Sequence, residues 1–155
     1  MEVINRLLGY IDEVEASTGP AVLVTIATGA KIFSTGFNLS WWAQDLTNSL
    51  TSIAKFQELM NRFLTISVPS LAVINGHAYA GGLILALTHD FRIMTKTNAK
   101  ICLSELAVGF NLSPAYSAIC KATLPIQTFR KLMWGTPFDA TEALKDGVIN
   151  DVFAA

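Results

Sequence analysis

The sequence predicts an α/β fold built on a mostly parallel β-sheet. Short apolar runs, typical of buried strands, alternate along the chain with stretches whose apolar residues recur at helical spacing. The composition agrees, since 52% of the 155 residues are hydrophobic and 15% are charged, against a usual charged share of about 25%. We therefore predict a single domain over residues 1–155, whose low charge indicates a layered α/β core, a sizeable interface with other subunits, or both.

The first part of the chain predicts helix, strand, strand and helix. Apolar residues between Val3 and Val14 recur at the spacing of a surface helix with one buried stripe. Ala21–Ala27 predicts a buried strand and Ile32–Phe33 a second, short one, after which Phe33–Leu39 predicts a compact loop. A long helix follows, whose predicted apolar stripe is Leu46, Leu50, Ile53, Met60 and Leu64, with Phe56 and Phe63 beside it.

The central segment, Pro69 to Asp90, organises the rest of the chain. It predicts a strand at Leu71–Ile74 covered on both faces, a turn at Asn75-Gly76, and a helix that begins at Gly81-Gly82. Glycines have no Cβ, so a ligand can approach this backbone closely, and free N–H groups at the helix start suit a developing negative charge on a phosphate or an enolate oxygen. Although the segment is apolar, its proline and turn residues argue against a membrane span.

The last part of the chain again alternates strands and helices. Strands are predicted at Phe91–Thr95 and Ile101–Leu103, and Ser113-Pro114 has the pattern of a helix N-cap with proline at the first helical position. That helix is predicted to run to Thr123. The remaining predicted elements are a helix around Ile126–Met133, a short helix at Thr141–Lys145 closed by Gly147, and a strand at Val148–Phe153.

Charge and residue counts exclude several kinds of site. The formal net charge of −1 gives no reason to expect binding to nucleic acid or to an anionic membrane. The chain has two histidines and two cysteines, so we expect no metal site, and we interpret Cys102 and Cys120 as core thiols in a reducing compartment, with a disulfide left open. Gly76 to Gly81 has the glycine spacing of a phosphate-binding loop, but Gly82 and Leu83 stand where lysine and serine or threonine are required.

Two loops taken together resemble the crotonase superfamily, the enoyl-CoA hydratases and isomerases. They are F-S-T-G-F-N-L after one strand and N-G-H-A-Y-A-G-G after the next core strand, followed by H-D-F-R-I-M-T, L-S-E-L-A-V-G-F and D-A-T-E-A-L-K-D-G-V-I-N-D-V. Each motif is weak alone, but their order and spacing cover nearly the whole chain. Within the superfamily the sequence most resembles Δ3,Δ2-enoyl-CoA isomerases, particularly those of plants. The implied fold is a crotonase-like spiral of mostly parallel strands flanked by helices.

The resemblance implies an oxyanion hole made of two backbone N–H groups. One belongs to Phe37, which follows the glycine of the first loop, and the other to Gly81. Both would donate to the thioester oxygen of an acyl-CoA substrate. The resemblance implies no separate cofactor, since coenzyme A takes part only as the thioester of the substrate. The alternative is that Gly36 and Gly81 simply permit tight turns. The residues expected to line the substrate site are Ser34, Gly36, Asn38, Leu39, Gly82 and Ile84.

The catalytic carboxylate implied by the resemblance is Glu105. It lies in an apolar stretch, and an apolar setting raises a carboxyl pKa toward the range that suits a general base. The alternative is an exposed glutamate at the end of a strand. Hydratases of the superfamily carry a second glutamate at the position of Ile84. Moving a double bond needs one base, whereas adding water benefits from two carboxylates, so the sequence favours isomerisation over hydration.

Other candidates are weaker. Asn75, His77 and Asp90 could act near the site, but buried polar groups more often hold turns together. Trp41, Trp42, Phe56 and Phe63 could line an acyl pocket, although core packing is the more common role of such residues.

The chain is short for the superfamily. We expect it to lack the N-terminal strands and the C-terminal helices of its relatives, which leaves a catalytically silent subunit of a larger complex as an alternative to the isomerase. The resemblance implies a homotrimer or a subunit of a larger assembly, in the mitochondrial matrix or the peroxisome, acting in fatty acid β-oxidation.

Overall fold

The computed structural model describes residues 1–154, in which helices alternate with short strands. The helices are α1 (Glu2–Glu15), α2 (Leu39–Trp42), α3 (Leu46–Thr65), α4 (Gly81–Leu87), α5 (Pro114–Thr123), α6 (Ile126–Met133) and α7 (Ala140–Lys145). The strands are β1 (Leu23–Ile26), β2 (Ile32–Ser34), β3 (Ser70–Ile74), β4 (His77–Tyr79), β5 (Phe91–Thr95), β6 (Ile101–Cys102) and β7 (Asp151–Phe153). A 3₁₀ turn covers Leu106–Val108.

The strands of residues 1–154 form two sheets. The first has the strand order β1-β3-β5-β7 and the second the order β2-β4-β6. The pairs β3–β5, β5–β7, β2–β4 and β4–β6 are parallel, and an isolated antiparallel bridge joins Ile101 to Phe138. The predicted α/β class with mostly parallel strands is confirmed.

The chain divides into two compact units. The first comprises Met1–Leu23 and Phe37–Ser70, and the second comprises Val24–Gly36 and Leu71–Ala155. The first residues of β1 and β3, Leu23 and Ser70, fall in the first unit. Our prediction of a single domain over the whole chain stays a prediction.

In the first unit, α1 packs against α3. The Arg62 guanidinium on α3 lies 2.7 Å from the Asp12 carboxylate and 2.8 Å from the Glu15 carboxylate, both on α1. The predicted α3 helix is confirmed, but its predicted stripe is wrong in part, since the exposed fractions are 74% for Leu46 and 62% for Leu50 and Leu64 is exposed as well. Met60 of that stripe is buried and Ile53 is half-buried. The buried face is Ser52, Phe56, Leu59, Met60 and Phe63. Apolar residues occupy two neighbouring faces of this helix, and spacing alone did not identify which face packs.

In the second unit, the predicted strand, turn and helix of the central segment are present. β3 is followed by the Asn75-Gly76 turn, then by β4, which was not predicted, and then by α4, whose seven residues are all buried. The Asn75 side chain holds the turn, because its amide donates to the carbonyl oxygens of Ala27 and Gly29 and accepts from the Ala27 N–H. The structural role that we favoured for Asn75 therefore has direct support.

Other details differ from the prediction. β1 is not buried on both faces, since Val24 and Ile26 are exposed, and in β3 the residues Leu71 and Val73 are half-buried while Ala72 and Ile74 are buried. Successive side chains of a strand point to opposite faces, and among residues 1–154 one face of this sheet stays partly open. The sequence also gave no signal for β4, which is three residues long, or for α2, which begins at Leu39, the last residue of the predicted loop. No helix of the described chain is long and apolar enough to cross a membrane.

Candidate active site

The candidate site lies where the strands of the second sheet end. Gly36 follows β2, Gly81 follows β4, and Glu105 follows β6. Parallel strands end at the same edge of a sheet, so the three segments emerge side by side. A hydrogen bond of 2.9 Å from the Ala80 N–H to the Cys102 carbonyl oxygen ties the end of β4 to the end of β6. Sheet topology therefore places the segments that carry these three predicted site residues at one edge of the second sheet.

The two glycine loops are in close backbone contact. A Cβ added to Gly36 would lie 2.9 Å from the Gly81 nitrogen, and Gly36 has a φ of +81°, a conformation that other residues rarely adopt. Gly82 is packed equally tightly, against the Ser34 carbonyl. The Ser34 hydroxyl accepts a hydrogen bond of 3.3 Å from the Gly36 N–H, which fixes the first loop. Gly36 and Gly82 are thus packed against the backbone of Gly81 and Ser34 respectively.

The backbone at the start of α4 is strained. Ala80 has φ 50° and ψ −127°, values that are costly for a residue with a side chain. Its carbonyl accepts from the N–H groups of Leu83 and Ile84. Within residues 1–154 no oxygen accepts from the Gly81 N–H, so this donor is available to a ligand. Strain beside an unused donor is typical of a functional site.

Glu105 is the candidate base. One carboxylate oxygen, Oε2, is shielded from solvent and has no hydrogen-bond partner among residues 1–154. Burial raises the pKa of Glu105. The side chain lines a pocket of about 290 Å³ with Leu103, Leu106, Asn111, Leu112, Ser117 and Met133. The catalytic role stays a prediction, but Glu105 is half-buried and not fully exposed as the alternative expects, and its buried oxygen without a partner costs free energy.

Two thiols and a phenol that interact with Glu105 remain in their neutral forms. Burial is the main cause of the raised pKa of the Cys102 thiol, the Tyr116 phenol and the Cys120 thiol, which reaches about 12, and the charge of Glu105 adds to all three shifts. Both cysteines are free and buried, in agreement with our interpretation of core thiols. Cys102 donates to the Gly135 carbonyl at 3.3 Å. The titratable groups that interact with Glu105 are therefore uncharged.

The remaining predicted site residues have other local roles. Asn38 is the N-cap of α2 and accepts from the Trp41 N–H at 3.1 Å, while Leu39 is partly exposed. Phe37 belongs to the first unit, where its ring lies 4.5 Å from that of Trp42 and 5.2 Å from that of Phe56. Phe56 and Phe63 are buried, as the core-packing interpretation expects.

Ile84, at the position of the second hydratase carboxylate, is fully buried in α4. A contact between Ile84 and substrate stays a prediction, as do all the other catalytic, oxyanion-hole and substrate-binding assignments. Within residues 1–154 no cluster of three or more His, Cys, Asp or Glu side chains could hold a metal ion.

Sequence reasoning missed several residues that surround Glu105. Asn111, Leu112, Ser117 and Met133 line the same pocket but lie on the loop before α5, on α5 itself and on α6. No motif marks them, because their approach to Glu105 depends on how these helices pack. The signal available in the sequence was the Ser113-Pro114 cap, and Ser113 does accept from the Tyr116 N–H at the start of α5.

Comparison with known proteins supports the resemblance that the motifs indicated. The sequence profile of the enoyl-CoA hydratase/isomerase family matches residues 5–155. The peroxisomal enoyl-CoA delta isomerase 2 of Arabidopsis thaliana is 30% identical over 159 residues, which cover 96% of this chain and 65% of that protein.

Solved structures agree in fold. Pseudomonas aeruginosa DspI matches with a TM-score of 0.89 at 26% identity, covering 97% of this chain and 58% of that one. The enoyl-CoA hydratase of Thermoplasma volcanium matches with a TM-score of 0.87 at 25% identity, covering 100% of this chain and 62% of that one. The predicted crotonase-like fold is confirmed, and the chain spans about two thirds or less of each of these proteins.

Proposed function

The chain belongs to the enoyl-CoA hydratase/isomerase family, and we propose that it is a Δ3,Δ2-enoyl-CoA isomerase of fatty acid β-oxidation. Its substrate would be the CoA thioester of an unsaturated fatty acid, whose double bond moves from C3 to C2. The observation that carries this proposal is the Glu105 carboxylate, which has a water-shielded oxygen without a hydrogen-bond partner in residues 1–154 and lines a largely apolar pocket. That is the environment of a general base for a carbon acid.

The reaction requires one proton to leave C2 and one to arrive at C4. Glu105 takes the C2 proton, and the electron pair moves onto the thioester oxygen to give an enolate. The same carboxyl group then returns the proton to C4, so the reaction balances without a cofactor. The raised pKa of Glu105 favours the first step, because a base of higher pKa accepts a carbon-bound proton more readily.

The enolate oxygen needs hydrogen-bond donors. The Gly81 N–H is available, and the contact between Gly36 and Gly81 supports a rigid donor position. We assign the second donor to the Phe37 N–H from the family resemblance alone. In a dry site, losing one such donor typically costs about 3 kcal/mol of transition-state stabilisation.

Isomerisation fits better than hydration. Among residues 1–154, Glu105 is the one acidic side chain that lines its pocket, and the fully buried Ile84 occupies the position of the second hydratase carboxylate. A single carboxyl group can shuttle one proton between two carbons, whereas hydration must also activate a water molecule.

The test is an assay of the purified protein with a 3-enoyl-CoA, following the absorbance of the conjugated 2-enoyl thioester as it forms. A parallel assay supplies 2-trans-enoyl-CoA and follows the loss of the same chromophore. We expect the first signal to rise and the second to stay constant. Robust hydration would reassign the protein as a hydratase, and no turnover in either assay would leave it as a silent subunit. Light scattering on the same sample tests our proposal that the protein forms a trimer or joins a larger assembly.

A further inference from the structure

A second recess lies at the opposite ends of the strands that carry the candidate active site. It has a volume of about 730 Å³ and is lined by Ala30, Lys31, His77, Lys96, Asn98, Ala99, Lys100 and Asp139. We call these residues the lysine recess. Lys31 directly precedes β2, His77 begins β4 and Lys100 directly precedes β6, whereas Gly36, Gly81 and Glu105 follow the same strands. A three-residue strand spans about 10 Å, so the recess and the Glu105 pocket lie at different edges of the sheet.

The backbone of the lysine recess is held by direct contacts. A Cβ on Gly76 would lie 2.5 Å from the Lys31 carbonyl carbon, so the turn before His77 presses against the Lys31 peptide. The His77 N–H donates to the Lys31 carbonyl oxygen at 3.0 Å, and the Lys100 N–H donates to His77 Nδ1 at 3.1 Å. Since Nδ1 accepts a hydrogen bond, the proton of the neutral ring is on Nε2, which leaves that nitrogen as a donor.

The charges of the lysine recess are unbalanced. Lys31, Lys96 and Lys100 take part in none of the ion pairs of residues 1–154. The nearby carboxylate of Asp139 already accepts from the Glu142 N–H in the capping box of α7. Three like charges in one recess repel one another, and a protein with a net charge of −1 has no general excess of lysine to account for the cluster.

We propose that the lysine recess binds a phosphate-bearing small molecule, at a site separate from the Glu105 pocket. Three ammonium groups and a neutral imidazole N–H offer charge and donors for an anion with two or more negative charges. Lysine is a common phosphate ligand that acts as a point charge, and three lysines line the recess. The volume exceeds that of one phosphate ion and falls in the range of small-molecule sites.

The test uses inorganic pyrophosphate as the probe and the full chain as the protein. Isothermal titration calorimetry at low salt should give a dissociation constant below about 1 mM, and added salt should weaken binding because it screens these charges. Lys31→Gln and Lys100→Gln should each weaken binding about fivefold or more. Lys121→Gln, an exposed lysine on α5, is the matched control and should leave the affinity unchanged.

Two further measurements decide the outcome. Pyrophosphate should raise the unfolding midpoint of the parent protein more than that of the Lys31→Gln/Lys100→Gln double variant. A saturating CoA thioester should not displace pyrophosphate. The proposal is wrong if about 10 mM pyrophosphate neither binds nor stabilises the parent, or if the lysine variants bind like the control. Displacement by the CoA thioester would show that the recess holds the nucleotide end of the substrate, which overturns a separate site.

Discussion

The two sheets differ in whether the shielded polar atoms beside them are hydrogen-bonded. Beside the first sheet, His89 is buried but both ring nitrogens are bonded: Nδ1 lies 2.9 Å from the Leu85 carbonyl oxygen and Nε2 lies 2.7 Å from the Thr25 hydroxyl. A carbonyl oxygen can only accept, so Nδ1 carries the proton and Thr25 donates to Nε2. At the end of the second sheet, Glu105 is half-buried, and its Oε2 atom is shielded from water but has no hydrogen-bond partner in residues 1–154.

The buried arginine of the first sheet follows the same rule as His89. Arg92 Nε donates to the Val148 carbonyl at 2.9 Å, and its guanidinium also donates to the His89 carbonyl. The Arg92 N–H donates to the Asn150 side chain, whose backbone N–H returns a bond to the Arg92 carbonyl. The contrast with Glu105 suggests that burial alone does not mark a catalytic group. A buried group whose hydrogen bonds are made stabilises the fold, and one left with an unused oxygen is available for chemistry.

The largest expected effect is that of Glu105→Gln on catalysis. Glutamine keeps the shape of the side chain but cannot accept the C2 proton, so the isomerisation rate should fall by about 100- to 10,000-fold. Because burial disfavours the charged carboxylate, the free energy of unfolding should stay the same or rise. Steady-state kinetics and urea denaturation on the same sample measure both quantities. A variant with full activity would require another base.

Gly36→Ala should come next. A methyl group at φ +81° would meet the Gly81 nitrogen at 2.9 Å, so the two loops must separate. A displacement of about 1 Å can cost about 100-fold in rate, and the strained backbone should cost about 1–3 kcal/mol of stability. Gly29→Ala is the matched control, since a Cβ there meets nothing within 4 Å. Equal activity in the two variants would mean that contact between the loops is not needed.

His89 should control the stability of the protein in acid. Burial is the main cause that lowers the pKa of His89 to about 4, with Arg92 adding to the shift and the Leu85 carbonyl and Asp90 opposing it. In the unfolded chain the imidazole binds its proton near pH 6.5. Between these values the unfolded state holds more protons, so the free energy of unfolding should fall by about 1.4 kcal/mol per pH unit as the pH drops.

The His89 contribution is complete above about pH 6.5 and is lost as the pH approaches 4. Urea denaturation across this range should show the slope in the parent and a smaller one in His89→Gln. Glu105→Gln should leave the contribution of His89 in place. If His89→Gln kept the full slope, other groups would be responsible for the acid sensitivity.

Sequence reasoning predicted best where a local pattern has one physical solution. Asn75-Gly76 breaks an apolar run, and Ser113-Pro114 can begin a helix but not continue one, so both boundaries were confirmed. Sequence reasoning failed where tertiary packing decides which residues are buried or which segment forms a strand. The apolar residues of α3 could have buried either of two faces, and β4 carries His77 and Tyr79 instead of an apolar run. Glu105 could be identified from its motif, whereas Asn111 and Ser117 reach its pocket only through the packing of α5.

The smallest expected effect is that of Thr25→Val on stability. Valine keeps the shape of threonine but removes the hydroxyl that donates to His89 Nε2, so a buried acceptor loses its partner. A lost hydrogen bond of this kind costs about 1–2 kcal/mol. The isomerisation rate should not change, because Thr25 and Glu105 lie on different sheets. Denaturant unfolding and the 3-enoyl-CoA assay on one preparation separate the two effects.

Thr25→Val in a Glu105→Gln background should cost the same free energy of unfolding as in the parent, since the effects of distant sites add. If Thr25→Val slowed catalysis by as much as Gly36→Ala, the first sheet would serve the reaction as well as the fold, and the distinction between bonded and unbonded buried groups would fail.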